Sequence, residues 1–380
     1  MAVSAACALP LSGPPAWAMS GRPPPPFPRK AAATALTSST ALTLPVRSSV
    51  TATTSEALPS ATVTKLTGTG ALIFQKGKTG SGHGNLDLEN FGNPTDISVD
   101  AAANEAYIAD GYHNNRVVVL DAEGKITEDW TQWDSLFRRP HSVTMNPYDP
   151  EKHIWIVEDR NHVVYEFSHD GKQLVKTMGV KGVSGTDSTH FNRPTFLAWL
   201  PDGTMFVSDG YANTRVVKFD KDGKFLLQWG EKGNPPNDTR PGMFSAVHGV
   251  QVDPGTRKVY VTDRDSHRIQ VFDENGKFID QFSTGKPSTP QVLLLTQDKH
   301  LWIADNETSK IVKYDLEGHY LYSWGSGGQW PGAMWNVHGM SVDTEGNLYL
   351  AQVNNGWPTK FKPRAGANPD FLVGQPMKAK

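Results

Sequence analysis

The fold of this chain is decided by a stretch between Arg193 and Trp229, which reads RPTFLAWLPDGTMFVSDGYANTRVVKFDKDGKFLLQW. It contains four short apolar runs separated by turns rich in Asp, Gly and Asn. The β-branched and aromatic residues of Arg215–Asp220 favour a pleated strand. Gly223 stands where a tight hairpin requires a positive φ. The stretch therefore predicts four consecutive antiparallel strands.

The same unit recurs six times beyond Gly70. Each copy begins with a polar or proline-containing turn, at intervals of roughly 43 to 54 residues, and its second apolar run ends in an acidic or polar residue. Periods of this length are typical of propeller blades, so we expect an all-β protein, a six-bladed β-propeller with four-stranded antiparallel blades, over residues 66–365. The copies begin at Asn93-Pro94, Arg139-Pro140, Arg193-Pro194, Ala246-Val247, Thr289-Pro290 and Asn336-Val337.

The segments outside these units have a different composition. Residues 1–65 are predicted to be a disordered leader and residues 366–380 a C-terminal tail, whereas Ala71–Gln75 is expected to supply the outer strand of the last blade. The leader has no acidic residue before Glu56. Acid-poor leaders indicate import into a plastid or mitochondrion, but Ala16–Ala18 also fits a signal-peptidase site and hence a secreted or periplasmic protein. Both locations stay open.

Composition limits the partners of the folded part. With 37 Lys and Arg against 39 Asp and Glu, the charge is nearly balanced, so nucleic acid and anionic membranes are not expected partners. The one cysteine, Cys7, lies in the leader. Any metal must therefore be held by His, carboxylate or carbonyl ligands. We expect a monomer that acts on a small-molecule or peptide substrate.

Histidines alternate along the repeats. The first strand of each propeller blade lines the central channel, and the residue just after each of these entry pairs should lie near its mouth. Histidine in every second blade predicts three imidazoles around one axis, and catalytic zinc sites use three protein ligands and one open position. We therefore predict that they bind zinc or another divalent metal, although each histidine could instead only cap a strand or bond a carbonyl. The six residues are Thr95, His141, Thr195, His248, Gln291 and His338.

These motifs resemble those of NHL-repeat propellers, and within them the peptidyl-α-hydroxyglycine α-amidating lyases. The similarity covers approximately residues 90 to 360. It is strongest between Arg193 and Phe272, where it includes the runs Val207–Arg215, Gln228–Glu231 and Arg240–Ser245. Val247-His248 and Asp263-Arg264 continue the same series.

The resemblance implies a metal-dependent lyase that cleaves a carbinolamide C–N bond to give an amide and glyoxylate. It implies that His141, His248 and His338 bind zinc, that Tyr211 is the active-site tyrosine and that Arg264 grips the substrate carboxylate. A metal can polarise a hydroxyl, a phenolate can take its proton and a guanidinium can bind a carboxylate bidentately. Tyr211 could also pack at a blade rim, and Arg264 could simply pair with a neighbouring aspartate.

Three positions depart from the family pattern. Asp110 stands where the family has a second substrate-binding arginine, and Asn336 stands where it has a methionine. Both are kept as candidate substrate-binding residues. Gly339 replaces a calcium-ligating aspartate, so calcium remains possible but without its family ligand. The substrate could therefore differ from that of the family.

Two other classes of function remain open. A non-catalytic NHL scaffold would bind protein through its loops and needs no metal cage. A calcium-dependent propeller hydrolase, such as a lactonase, would use Asp, Glu and Asn in the channel. Histidines at the alternating positions argue against the hydrolase, and stoichiometric zinc would argue against the scaffold.

Overall fold

The computed structural model describes residues 63–66, 72–76, 84–100, 102–121, 125–235, 238–328, 332–344, 346–354, 357–361, 363 and 366–377. Side chains are not described for 63–66, 72–76 and 357–360. Most of the predicted leader, including Cys7 and Ala16–Ala18, lies outside these residues. In the described part of the chain, no helix is long and apolar enough to cross a membrane.

Five antiparallel sheets have four strands each and form blades 1 to 5. Within each sheet the strands are hydrogen-bonded in chain order. Before them, the backbone of β1 (Val63–Leu66) pairs with that of β2 (Leu72–Lys76). Blade 1 consists of β3 (Asp96–Asp100), β4 (Glu105–Asp110), β5 (Arg116–Leu120) and β6 (Ile126–Glu128). Blade 2 consists of β7 (Pro140–Met145), β8 (Ile154–Glu158), β9 (Val163–Phe167) and β10 (Leu174–Met178). Blade 3 consists of β11 (Pro194–Trp199), β12 (Met205–Asp209), β13 (Arg215–Phe219) and β14 (Phe225–Trp229).

The second half of the chain continues this pattern. A short parallel pair, β15 (Glu231–Lys232) and β16 (Met243–Phe244), links blades 3 and 4. Blade 4 consists of β17 (Val247–Val252), β18 (Val259–Asp263), β19 (Arg268–Phe272) and β20 (Phe278–Ser283). Blade 5 consists of β21 (Pro290–Leu295), β22 (His300–Asp305), β23 (Lys310–Asp315) and β24 (Tyr320–Trp324). A final sheet has three strands, β25 (Val337–Val342), β26 (Leu348–Gln352) and β27 (Trp357–Phe361).

The prediction of six four-stranded blades is wrong, because the structure shows five. The last repeat forms only the three-stranded sheet, although its β25 lies beside β3 and brings the first strands into a ring. The predicted outer strand, Ala71–Gln75, falls largely in β2, which pairs with β1, and β1 rather than β2 lies beside β27. β27 contains Pro358, which lacks an N–H and is suited to the edge of a sheet. A sequence repeat thus did not guarantee a fourth strand.

The hydrophobic core lies between neighbouring blades. The second and third strands carry almost continuous buried runs, since both faces of these strands are covered. Between blades 1 and 2, for example, Tyr107 and Trp130 pack against Phe167 and Val163. This distributed packing holds the first strands around the channel. The loops at its two ends lie outside the core and can therefore differ in sequence from blade to blade.

The acidic residue that ends the second strand has a structural role in several blades. Asp110 and Asp209 each form a buried ion pair with an arginine on the third strand and accept a backbone N–H from the loop before the first strand. Asp263 makes the same contacts with Arg268 and Ser245. These bonds fix the loops that surround one mouth of the channel.

Candidate metal centre at the channel mouth

His141, His248 and His338 converge at one mouth of the channel. They lie at the second residue of β7, β17 and β25, and one ligand nitrogen from each lies within 4.8 Å of the others. All three side chains are buried, with at most 1 % of their surface exposed. They are also the one group of His, Cys, Asp or Glu side chains with metal-binding geometry among the described residues.

Each imidazole is oriented by a backbone carbonyl of the next sheet. The Nδ1 atom of His141 lies 3.1 Å from the Thr195 carbonyl, that of His248 2.7 Å from the Gln291 carbonyl and that of His338 3.1 Å from the Thr95 carbonyl. A carbonyl can only accept, so Nδ1 carries the proton in all three rings. The lone pairs of the three Nε2 atoms are therefore free to face the shared point.

The non-histidine positions of the first strands support this arrangement. The Thr95 hydroxyl donates to the Pro140 carbonyl at 2.8 Å, and the Thr195 hydroxyl donates to the His248 carbonyl at 2.7 Å. The threonines that alternate with the histidines thus link neighbouring first strands around the mouth.

Burial keeps the three rings neutral. Desolvation lowers the pKa of His141 to about 4. It lowers the pKa values of His248 and His338 well below the ordinary value, and repulsion from a neighbouring histidine adds to the effect in both. Neutral imidazoles with exposed lone pairs are the form that binds metal.

Tyr211 directs its hydroxyl at the same point. The oxygen lies 2.9 Å from Nε2 of His141, 2.9 Å from Nε2 of His248 and 3.5 Å from Nε2 of His338. The ring therefore does not lie on the outer wall of its blade. Burial, reinforced by neighbouring Tyr112, raises the pKa of Tyr211 well above its usual value, and the charge of Arg264 opposes the rise.

Tyr112 is a second tyrosine in the cavity. Its hydroxyl lies 3.3 Å from Nε2 of His338. Burial raises the pKa of Tyr112, and the neighbouring Tyr211 hydroxyl and Arg139 oppose the rise. The sequence offered a signal for it, since Asp110-Gly111-Tyr112 nearly copies Asp209-Gly210-Tyr211. A repeat consensus explains such a copy equally well, so the sequence alone does not single out Tyr112 as a site residue.

Three arginines surround the tyrosines. The Cζ atoms of Arg193, Arg264 and Arg139 lie 4.9, 5.7 and 5.9 Å from the centre of the Tyr211 ring. Arg264 also donates to Asp265 at 2.8 Å. Arg264 therefore pairs with a neighbouring aspartate and also borders the cavity. The guanidiniums make this mouth of the channel electropositive.

Arg139 and Arg193 share one buried carboxylate, Asp159. Arg139 binds it with Nε at 2.6 Å, and Arg193 binds it with two nitrogens at 3.1 and 3.0 Å. Burial alone would raise the pKa of Asp159, but the hydrogen bonds and charges of these partners lower it below the ordinary value. Two guanidiniums on one carboxylate leave a net positive charge beside Tyr211.

Phe196 forms the floor of the site. Its ring centre lies 5.4 Å from that of His141, 5.2 Å from that of His248 and 6.0 Å from that of His338. The ring thus separates the three imidazoles from the rest of the channel. Neither this residue nor Arg139, Arg193 or Asp159 was predicted from the sequence.

The remaining candidate residues lie in other surroundings. Asp110 is fully buried and binds Arg116, Asn114 and the Gly92 N–H. Asn336 donates through its side-chain amide to Asn354 at 3.2 Å. A Cβ at position 339 would lie 2.6 Å from the Oδ1 atom of Asp96, so a larger residue here would require the Asp96 side chain to move.

Comparison with known proteins places the repeats in a family. Residues 91–120 and 244–272 match the NHL repeat. The chain is 34% identical to the mouse peptidyl-glycine alpha-amidating monooxygenase over 167 residues, which are 43% of this chain and 16% of that protein. It is 25% identical to a probable peptidyl-alpha-hydroxyglycine alpha-amidating lyase of Caenorhabditis elegans, over 63% of this chain and 68% of that protein. The chain therefore spans well under a fifth of the mouse relative's length.

Two further similarities concern the fold. The chain is 28% identical to the mouse NHL repeat-containing protein 3, over 57% of this chain and 62% of that protein. A solved streptogramin B lyase structure superposes with a TM-score of 0.51 at 12% identity and covers 72% of this chain and 84% of that one. The chain is a propeller with two segments that match the NHL repeat, and it resembles the peptidyl-α-hydroxyglycine α-amidating lyases.

Proposed function

We propose that this protein is a zinc-dependent lyase that cleaves an α-hydroxyglycine-like carbinolamide into an amide and glyoxylate. The observation that carries the proposal is the convergence of three neutral, carbonyl-oriented imidazoles with the Tyr211 hydroxyl at one point. The similarity to named amidating lyases supports the reaction class.

The donor set fits zinc. Three imidazole nitrogens and an open position are typical of catalytic zinc, whereas calcium takes six to eight oxygen ligands. The Gln291 side-chain oxygen, buried beside His248, has no hydrogen-bond partner among the described residues, and an unpartnered buried acceptor is costly unless a ligand satisfies it. When bound by His141, His248 and His338, zinc would act as a Lewis acid on the substrate hydroxyl.

Side chains of the protein would carry out the proton transfer. Burial favours the neutral phenol of Tyr211, whereas the charge of Arg264 opposes this and bound zinc would oppose it further. In the loaded site Tyr211 would therefore act as a phenolate and take the proton of the substrate hydroxyl, since a general base must lie within hydrogen-bond reach of that proton. The electron pair of the O–H bond then forms the aldehyde C=O, and the C–N bond breaks with its pair on nitrogen. The nitrogen gains the proton that Tyr211 accepted, so the proton balance closes and no oxidant or reductant is required.

The arginines would orient the substrate. Arg264 is a quarter exposed and borders the Tyr211 ring, so it could bind the carboxylate that becomes glyoxylate. Arg193 is about a third exposed while keeping its contact with Asp159, so it could do the same. Phe196 would exclude water from the side of the site that faces the channel.

Metal analysis combined with a glyoxylate assay tests the proposal. We expect purified full-length protein to contain about one zinc per chain and to release glyoxylate from an N-acyl-α-hydroxyglycine. A chelator should abolish the release and added zinc should restore it. Zinc without glyoxylate release would contradict the substrate class. Protein with neither zinc nor activity would favour a non-catalytic scaffold.

A further inference from the structure

Blade 5 differs from blades 1, 3 and 4 in one buried ion pair. In those three blades the aspartate that ends the second strand pairs with the arginine that begins the third strand. The residues at these two places in blade 5 are Asp305 and Lys310, which are partners in the register of β22 and β23. Asp305 is 2 % exposed, whereas Lys310 is exposed. Among the described residues, Asp305 has hydrogen bonds from Ser288 and Thr308 but no ion pair with a cation. A buried carboxylate without a counter-charge is costly.

The fourth strand of blade 5 also differs from those of blades 3 and 4. In these two blades the arginine donates through Nη1 to a glutamine of the fourth strand, Gln228 or Gln281. Each glutamine lies opposite the residue two positions after the arginine. The residue at that place in blade 5 is Ser323. Because serine is shorter than glutamine and Lys310 is exposed, less of the space beside the buried carboxylate is filled in blade 5.

A cavity of about 220 Å³ lies at this place. Its wall includes Asp305, Ser323 and Thr284, and the exposed side chains of Lys310 and Tyr320 border it. The Thr284 Oγ1 atom is buried and has no hydrogen-bond partner in the described part of the chain, and such an atom requires water or a ligand. At about 30 Å³ per water, the cavity has room for several waters or for one small planar cation.

We propose that this cavity is a binding site for a guanidinium group, carried by a free alkylguanidinium or by an arginine side chain of a peptide. Such a ligand supplies the counter-charge that the chain itself supplies in blades 1, 3 and 4. A carboxylate offers about four acceptor positions. On Asp305, the hydroxyls of Ser288 and Thr308 and the Thr308 N–H use three of them. One position on Oδ2 therefore remains for a guanidinium N–H.

The acceptors around the cavity favour a guanidinium over an ammonium. In blade 4 the guanidinium donates to the second strand, to the fourth strand and to the segment that precedes the first strand. Asp305, Ser323 and Thr284 provide acceptors from the same three places in blade 5. A guanidinium is planar with donors along its edges, whereas an ammonium is a compact and strongly hydrated charge. The ammonium of Lys310 borders the cavity and yet is exposed.

Calorimetric titration of the full-length protein with methylguanidinium tests the proposal, and methylammonium is the matched probe. We expect saturable binding that is about tenfold tighter for methylguanidinium, since it gains at least one more hydrogen bond to or from a charged group. Lys310→Arg should abolish this binding and raise the thermal unfolding midpoint, because its own guanidinium can pair with Asp305. Equal affinity for the two probes would overturn the preference for guanidinium.

Lys277→Arg is the control variant, because Lys277 is an exposed lysine in the turn between β19 and β20 of blade 4. It should bind methylguanidinium as the wild type does. Unchanged binding in Lys310→Arg would place the cation elsewhere and overturn the proposal, as would absence of binding in the wild type.

Nα-acetyl-arginine amide distinguishes the two sources of the guanidinium group. Binding of this probe in competition with methylguanidinium would assign the site to arginine side chains, whereas binding of methylguanidinium alone would assign it to a free small cation. The cavity shares no residue with the metal centre. The titration therefore gives its answer whether or not the protein releases glyoxylate.

Discussion

The two ends of the channel are built from the same six first strands but differ in chemistry. At one mouth, loops bring tyrosines, arginines and Asp159 over three histidines. Toward the other end, a cavity of about 210 Å³ has both apolar side chains, such as Met145, Trp199 and Leu293, and polar atoms in its wall. Its one carboxylate is Asp96. Phe196 contacts the three imidazoles and also lines this cavity.

The difference shows that strand position alone does not make a site. Both ends inherit the ring of strands, but only the histidine end receives side chains from the loops that the Asp-Arg ion pairs hold in place. At the other end the C-terminal segment approaches instead, with Pro376 and Met377 in the cavity wall. Substitutions at the two ends should therefore separate chemistry from stability.

The largest effect is expected for His248→Ala. Removing one of three ligands should abolish bound zinc and glyoxylate release, whereas the distributed packing between blades should keep the protein folded. Metal content, activity and the thermal unfolding midpoint measure the three quantities. His319→Ala is the control, since this side chain is exposed and pairs with Asp315. Full zinc occupancy in His248→Ala would place the metal elsewhere.

Tyr211→Phe should have the next largest effect on chemistry. The variant loses the proton-accepting oxygen but keeps the ring that the arginines border, so kcat should fall about 10²- to 10⁴-fold with little change in KM. Steady-state kinetics on an N-acyl-α-hydroxyglycine provides the measurement. Unchanged turnover would identify another group as the base.

The variants Asp159→Ala and Asp110→Ala each remove a buried carboxylate on the same side of the ring. Each leaves a buried arginine without its counter-charge, so each should lower the free energy of unfolding by about 3 to 5 kcal/mol. Asp159→Ala should also raise KM, because Arg139 and Arg193 border the tyrosines. Denaturant unfolding and kinetics distinguish the two. An equal rise in KM for Asp110→Ala would assign that residue to the substrate site.

The smallest effect on activity is expected at the opposite end of the channel, where a substitution should change stability alone. Burial raises the pKa of Asp96 from 3.8 to about 8. Between these two pH values the folded protein keeps a proton on Asp96 that the unfolded chain has lost. The free energy of unfolding is therefore highest below pH 3.8 and falls as the pH rises to 8. The expected loss is about 1.4 kcal/mol per pH unit within this window.

Asp96→Asn should remove this pH dependence and leave zinc content unchanged. Chemical unfolding of both proteins at several pH values between 4 and 8 measures the difference. The free-energy gap between variant and wild type should grow with pH in favour of the variant. A constant gap would show that Asp96 has the same pKa in the folded and unfolded chain.

The sequence by itself determined the all-β propeller and the candidate metal ligands. Both follow from periodicity, because a repeated unit puts equivalent residues at equivalent places around a ring. His141, His248 and His338 could be selected for this reason alone. Tyr211 and Arg264 came from the family resemblance, and the structure brings both to the cavity.

Only the tertiary structure decided the strand number of the last repeat and the identity of the groups around the metal ligands. The fourth strand depends on backbone pairing between distant segments, which local patterns do not specify. Arg139, Arg193 and Asp159 meet Tyr112 and Tyr211 because loops from blades 1, 2 and 3 fold over one mouth. Side chains far apart in the chain become neighbours through blade packing, and no linear spacing records that proximity.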